Sequence, residues 1–184
     1  MSSFFSRRGF IGSTLALVAA AGVTASFLPS SVSAAENDTK SLVGKAAPDF
    51  DLKTVDGKSA KLSDQKGKVV LIDFWATWCP PCVKSLPHVN ELAGKKALTE
   101  KGLVVYAVNA REKAPTVEKF IDSKGLKNLT IPMDAQGATM GAYLVQGIPT
   151  TVVVGRDGKV SNVFVGSGND ANIDAAVEKA LAAK

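Results

Sequence analysis

Cys79-Pro80-Pro81-Cys82 is the segment of this chain whose residue types and spacing can do chemistry. These are the only two cysteines in 184 residues, and His88 is the only histidine. Two thiols three positions apart at the start of a helix can close a small disulfide or stand as a dithiol. The competing reading, half a zinc site or two inert core thiols, meets an obstacle. Zinc needs further ligands, and no third cysteine and only His88 exist to supply them. Cys79 falls at the expected N-cap, where the positive end of the helix dipole lowers a thiol pKa. Cys82 falls one turn in and is more shielded. Cys79 is therefore the expected attacking thiolate and Cys82 the resolving thiol, with exchange running through a mixed disulfide. Pro80 and Pro81 fit a first helical turn, but each removes an N–H that could have stabilised the thiolate. The Cys82 N–H is left as the main backbone donor. A moderately lowered pKa follows, and with it a lean toward reducing disulfides over making them.

Positioning such a pair requires a rigid strand before it and a helix after it. Lys68 to Ala76 is a near-continuous apolar run of the kind that forms a buried central strand. Pro80 to about Leu98 has helical periodicity, with Val83, Leu86, Val89, Leu92 and Ala93 on one face. Ala47 to Leu52 and Ser59 to Leu62 flank Asp56-Gly57, which predicts a small hairpin. Leu103 to Asn109 reads as a second buried strand, Pro115 to Lys124 as a short helix and Ala138 to Val145 as a brief one. Leu129 to Met133, with Pro132, suits an edge. Thr150 to Val154 and Lys159 to Val165 bracket Gly155-Arg156-Asp157-Gly158, a second hairpin, and Ala171 to Ala183 is an Ala-rich terminal helix. Helices alternating with buried strands predict an α/β layered fold, and the final hairpin makes its sheet mixed.

Composition narrows the function. With 46% apolar and 21% charged residues the chain suits one globular domain and not a disordered one. The net charge of +5 comes mainly from lysines interleaved with acids, with no basic run carrying aromatics, so no nucleic-acid partner is expected.

Leu71-Ile72-Asp73-Phe74-Trp75-Ala76-Thr77-Trp78-Cys79-Pro80-Pro81-Cys82 resembles the active-site segment of the thioredoxin superfamily. Pro87 matches that family's helix proline, and Gly147-Ile148-Pro149-Thr150 its cis-proline loop. Val43 to Phe50, with Gly57, resembles the opening of the exported TlpA/ResA-like, redoxin-type branch. The resemblance spans about residues 43–183. It implies a thioredoxin fold, a mixed central sheet flanked by helices, with an N-terminal hairpin extension. It also implies a thiol–disulfide oxidoreductase with no bound cofactor and no metal. A cis Pro149 would present the Ile148 backbone, including its C=O, for strand-like pairing with a substrate. Asp73 matches the family's buried acid. Burial should raise its pKa and make it the proton acceptor for Cys82. The alternative is an Asp73 turned to solvent or to a lysine. Trp78 is expected beside Cys79 as an apolar docking surface, together with Pro80 and Pro81, while Trp75 suits the core. Ser85 departs from the branch, which often carries Glu three residues after the second cysteine, so the tuning acid is Asp73 or none. His88 suits a solvated helix face, and Gly166-Ser167-Gly168 a loop before the last helix.

Residues 1–34 read as an address. Arg7-Arg8 are their only charges, and a weakly apolar stretch leads to small residues around Val32-Ser33-Ala34. This resembles a twin-arginine (Tat) export signal. An uncleaved anchor and a buried helix are the competing readings. Residues 35–42 then form a linker and 43–184 the domain. Export places the protein in the periplasm or another extracytoplasmic space, where disulfides form. Expected partners are exported protein disulfides, apocytochrome c or copper-site proteins among them, and a membrane thiol electron donor. Two other activities compete. One is a peroxiredoxin-like peroxidase, from the shared Pro48-Asp49-Phe50 opening. The other is a copper(I)-binding chaperone using the cysteine pair.

Overall fold

Seven consecutive buried residues, Val69–Trp75, form the central strand, because an apolar run this long can be satisfied only with neighbours on both edges and cover on both faces. A computed structural model describes residues 38–183. The expected signal and the first part of the linker, residues 35–37, lie outside the described residues. In chain order the elements are β1 (Asp51–Lys53), β2 (Ser59–Lys61), β3 (Val69–Trp75), α1 (Pro80–Gly94), α2 (Lys96–Thr99) and β4 (Leu103–Ala110). There follow α3 (Ala114–Lys124), β5 (Met133–Asp134), α4 (Ala138–Ala142), β6 (Thr150–Val154), β7 (Val160–Val165) and α5 (Asp170–Ala182). The main sheet runs β5-β4-β3-β6-β7. β3 is parallel to β4 and antiparallel to β6, which makes the sheet mixed, as the sequence predicts.

Strand alternation sends β3 to two different cores. Val69 and Leu71 pack with Val89 and Leu92 of α1 and Ile173 and Val177 of α5. Trp75 continues that face with Cys82 and Leu86 of α1 and Val117 of α3. Val70, Ile72 and Phe74 face the other way, onto Phe50, Ala60, Leu62 and Tyr143. The N-terminal extension and the segment around Tyr143 therefore share the cover of that face. The six apolar side chains of β3 are worth on the order of 10 kcal/mol of burial, enough to carry one acid in their midst.

The β1–β2 hairpin forms as predicted, a separate two-stranded sheet. Its first strand is shorter than expected. Gly44 and Ala47 donate instead to Val160 and Gly158, so the chain before Pro48 runs alongside the start of β7. Thr54 bridges Pro132 and the Val55 N–H donates to the Ile131 carbonyl, so the extension also shields the short β5 edge from further pairing. Residues 39–42 of the expected linker make a 3-10 turn, and the Thr39 hydroxyl donates to the Leu144 carbonyl. The long helix expected to reach Leu98 stops at Gly94. Lys95 is extended, and α2 restarts after it.

Candidate active site

β3 ends at Trp75, three residues outside any helix or strand follow, and Cys79 opens α1 as its N-cap. A strand buried along its whole length fixes where that loop begins. Trp75 anchors it further, with no exposed surface and its indole N–H donating to the Ala107 carbonyl at 3.1 Å. Trp75 is thus core, as its sequence context suggests.

Cys79 and Cys82 form a disulfide across a Cα–Cα distance of 5.3 Å. Pro80 and Pro81 occupy the first turn, and the Cys82 N–H donates to Cys79 Sγ at 3.3 Å, the arrangement expected from the two missing donors. Cys79 keeps 4% of its surface exposed and Cys82 none, so Cys79 is the more accessible of the two. Trp78 beside it is 66% exposed, an unusual state for the largest apolar side chain.

The Ile148–Pro149 peptide is cis. Ile148 O lies 3.6 Å from Cys79 Sγ, bringing together residues 69 positions apart. This loop is held from both ends. The Thr150 hydroxyl donates to the Gly147 carbonyl, and the Gly166 N–H donates to the Pro149 carbonyl.

Asp73 sits between Leu71 and Trp75 on the face of β3 that meets α1, and it is 1% exposed. Its register partner Ala107 belongs to the same apolar cluster as Cys82 and Leu86. Asp73 Oδ1 accepts from the Thr151 hydroxyl at 2.8 Å, and Oδ2 has no partner among the described residues. Burial therefore pushes its pKa up from the ordinary 3.8 to about 7, and the one bond from Thr151 holds it back only partly. Asp73 does not turn to solvent or to a lysine.

Two other positions resolve differently. His88 is not a solvated helix histidine. Its side chain is partly buried and its Nε2 lies 3.0 Å from Asp174 Oδ1, a close approach between α1 and α5. Ser85 donates its hydroxyl to the Cys82 carbonyl at 3.1 Å, so the position where the branch often carries an acid is spent on the helix backbone. Before α5, Asn169 caps no N–H; its amide instead donates to Val165 and Gly166 carbonyls across the glycine loop.

Glu112, which sequence reasoning missed, clamps the cysteine loop. Its Oε2 accepts from the Thr77 N–H and from Asn109 Nδ2, each at 2.8 Å, and its Oε1 accepts from the Thr77 hydroxyl. One carboxylate thus ties the residue before Trp78 to the end of β4. No short-range spacing announces a contact 35 residues long. Glu112→Ala leaves the wholly buried Asn109 amide and the Thr77 donors without their acceptor. The expected loss is about 2 kcal/mol of stability, seen in the urea midpoint, with slower attack on disulfides. Glu112→Gln, which keeps an acceptor oxygen, should retain most of both; equal loss in the two variants would contradict the clamp.

Residues 42–181 match the family described as Redoxin. The thiol–disulfide oxidoreductase ResA of Bacillus anthracis is 36% identical over 140 residues, 76% of this chain and 79% of that protein. A Chlorobium tepidum structure assigned as thiol:disulfide interchange protein DsbE superposes with a TM-score of 0.68 at 37% identity, over 74% of this chain and 95% of that one. The pneumococcal exposed lipoprotein thioredoxin of Streptococcus pneumoniae strain TIGR4 does so with a TM-score of 0.64 at 30% identity, over 72% and 99%.

Proposed function

The chain belongs to the redoxin family of thioredoxin-fold thiol–disulfide oxidoreductases, and from that premise we propose that it is an exported reductase of protein disulfides in which Cys79 attacks and Cys82 resolves. The single observation that carries this assignment is the environment of Cys79. It is the slightly exposed cysteine of the two, at a helix N-terminus, with one directed N–H from Cys82 and two prolines where further donors would be. One donor plus a helix dipole lowers a thiol pKa without making the thiolate so stable that the disulfide becomes a strong oxidant.

In the reduced protein the Cys79 thiolate attacks one sulfur of a substrate disulfide. A Cys79–substrate disulfide forms, and the other substrate sulfur leaves as thiolate. Trp78, Pro80 and Pro81 supply apolar contact, and the Ile148 backbone beside Pro149 pairs with the substrate chain. Cys82 then loses its proton to Asp73 and attacks Cys79 Sγ. The second substrate thiolate leaves, and Cys79–Cys82 closes. The substrate has gained two electrons and the protein has lost them. A membrane thiol carrier returns them from inside. The carboxyl of Asp73 suits its part, because a group with a pKa of about 7 exchanges protons readily near neutral pH. Apocytochrome c and copper-site proteins awaiting metal are substrates of the right kind. The twin-arginine segment supports export, as does likeness to an exposed lipoprotein.

Equilibration of the cysteine pair with glutathione tests the direction. The expected reduction potential is near or below about −230 mV, toward the thioredoxin end. A value near about −120 mV would make the protein a disulfide-forming oxidant.

A further inference from the structure

A groove of about 300 Å³ opens beside the cysteine pair, walled by Trp78, Met140, Val145, Gln146 and Ile148, with Arg111 as the one charged residue among the described residues that line it. Two of these walls already belong to the reacting site. Trp78 precedes Cys79, and Ile148 brings its carbonyl to 3.6 Å from Cys79 Sγ. A substrate chain joined to Cys79 and lying along Ile148 therefore enters this groove.

Arg111 lines the groove from an uncommon backbone conformation. Its φ is +58°, in the left-handed region that non-glycine residues occupy at a cost of about 1–2 kcal/mol. Its N–H donates to the Asp134 carbonyl, which holds that conformation. Across from it, Gly137 leaves room for the side chain. A Cβ there would lie 2.4 Å from Arg111 Nε. Yet among the described residues the guanidinium makes no ion pair or hydrogen bond, and none of those that line the groove is a carboxylate. The nearest acid in sequence, Glu112, is committed to Thr77 and Asn109. An arginine with five donors in a planar fork, mounted on an apolar wall, matches a carboxylate next to an apolar side chain.

We infer that Arg111 is a specificity-determining residue, selecting protein disulfides in which the attacked cysteine is flanked by an apolar residue and a carboxylate side chain. This rests on the oxidoreductase reading, since the groove matters only if substrate chains are joined to Cys79. The chemistry is unchanged. Arg111 pairs with the substrate carboxylate while the Cys79 thiolate displaces one substrate sulfur, and it takes no part in electron or proton transfer.

The test uses single-turnover reduction of synthetic peptide disulfides by the reduced protein. The peptides are identical except for Glu or Lys placed two residues before or two residues after the cysteine, next to a leucine. On one of the two sides the Glu peptide should react about tenfold faster than the Lys peptide at low salt, attraction and repulsion each supplying a few-fold. Molar salt should bring the ratio toward one, since screening then acts over about 3 Å. The ratio should collapse in Arg111→Ala, invert in Arg111→Glu and return in Arg111→Lys. Because the ratio is read, a variant with lower overall efficiency still reports. A ratio within about twofold on both sides for the native protein overturns the inference, as does a native ratio that survives in Arg111→Glu. Hydroxyethyl disulfide, which carries no side chains, separates the two levels. If the native protein fails to reduce it as well, the oxidoreductase reading falls; if it reduces it without peptide preference, only the role of Arg111 falls.

Discussion

Cys82→Ser is expected to turn the protein into a covalent trap for its substrates. The substituted protein keeps the Cys79 thiolate and its helix N-terminus, so the first exchange proceeds. Without the second thiol the mixed disulfide cannot resolve internally, and protein–substrate adducts should accumulate and dissolve on addition of a strong reductant. Cys79→Ser removes the nucleophile itself. The serine hydroxyl is far less nucleophilic than a thiolate, and Cys82 is wholly buried, so disulfide reduction should fall at least about 10³-fold with no adduct formed. Mass spectrometry of both variants after exposure to a disulfide-bonded protein reads the difference. Adducts on Cys79→Ser and none on Cys82→Ser would exchange the two roles.

Asp73→Asn should stabilise the protein above neutral pH while slowing its chemistry. Between the ordinary 3.8 and about 7, native Asp73 holds a proton that the unfolded chain has lost. Its contribution to stability is therefore complete below about pH 4 and is lost as pH rises through 7. A displacement of that size makes the native state up to about 4 kcal/mol less stable at pH 8 than at pH 3 through this group alone. Asparagine is neutral at every pH and still offers an oxygen to Thr151. The variant's advantage in urea midpoint should thus be large at pH 8 and vanish toward pH 4. Stopped-flow measurement should show resolution of the mixed disulfide slowed by about 10²-fold, the scale of a lost general base. An advantage that does not vary with pH would mean that Asp73 does not titrate in this range. Normal resolution by the variant would take the proton transfer away from it.

The physical origin of both effects is the same placement. β3 passes through the middle of the sheet, so its apolar residues anchor the loop carrying Cys79, and its one acid is shut away from bulk solvent. The burial that holds the cysteine pair still is the burial that raises Asp73.

Much of this could be read along the chain. The cysteine spacing, the prolines, the apolar run before them and the amphipathic stretch after them involve neighbours in sequence, and local geometry turns such patterns into an N-cap, a buried strand and a packed helix face. The order of strands and helices predicted a mixed sheet for the same reason, and a carboxyl in a fully apolar strand announced an acid under strain from burial. Where sequence reading erred, a distant contact intervened. Gly44 and Ala47 pair with the start of β7, so the chain before Pro48 lies outside the first hairpin, and His88 meets Asp174 on a helix far along the chain.

Tertiary structure alone decided the rest. It brought Glu112 back to Thr77, and it set Arg111 opposite Gly137 and beside the groove that Trp78 lines. Each of these joins parts of the chain whose approach depends on strand register and on how the loops close. A residue's type records what it can bond to, but not which distant partner the fold will bring within reach.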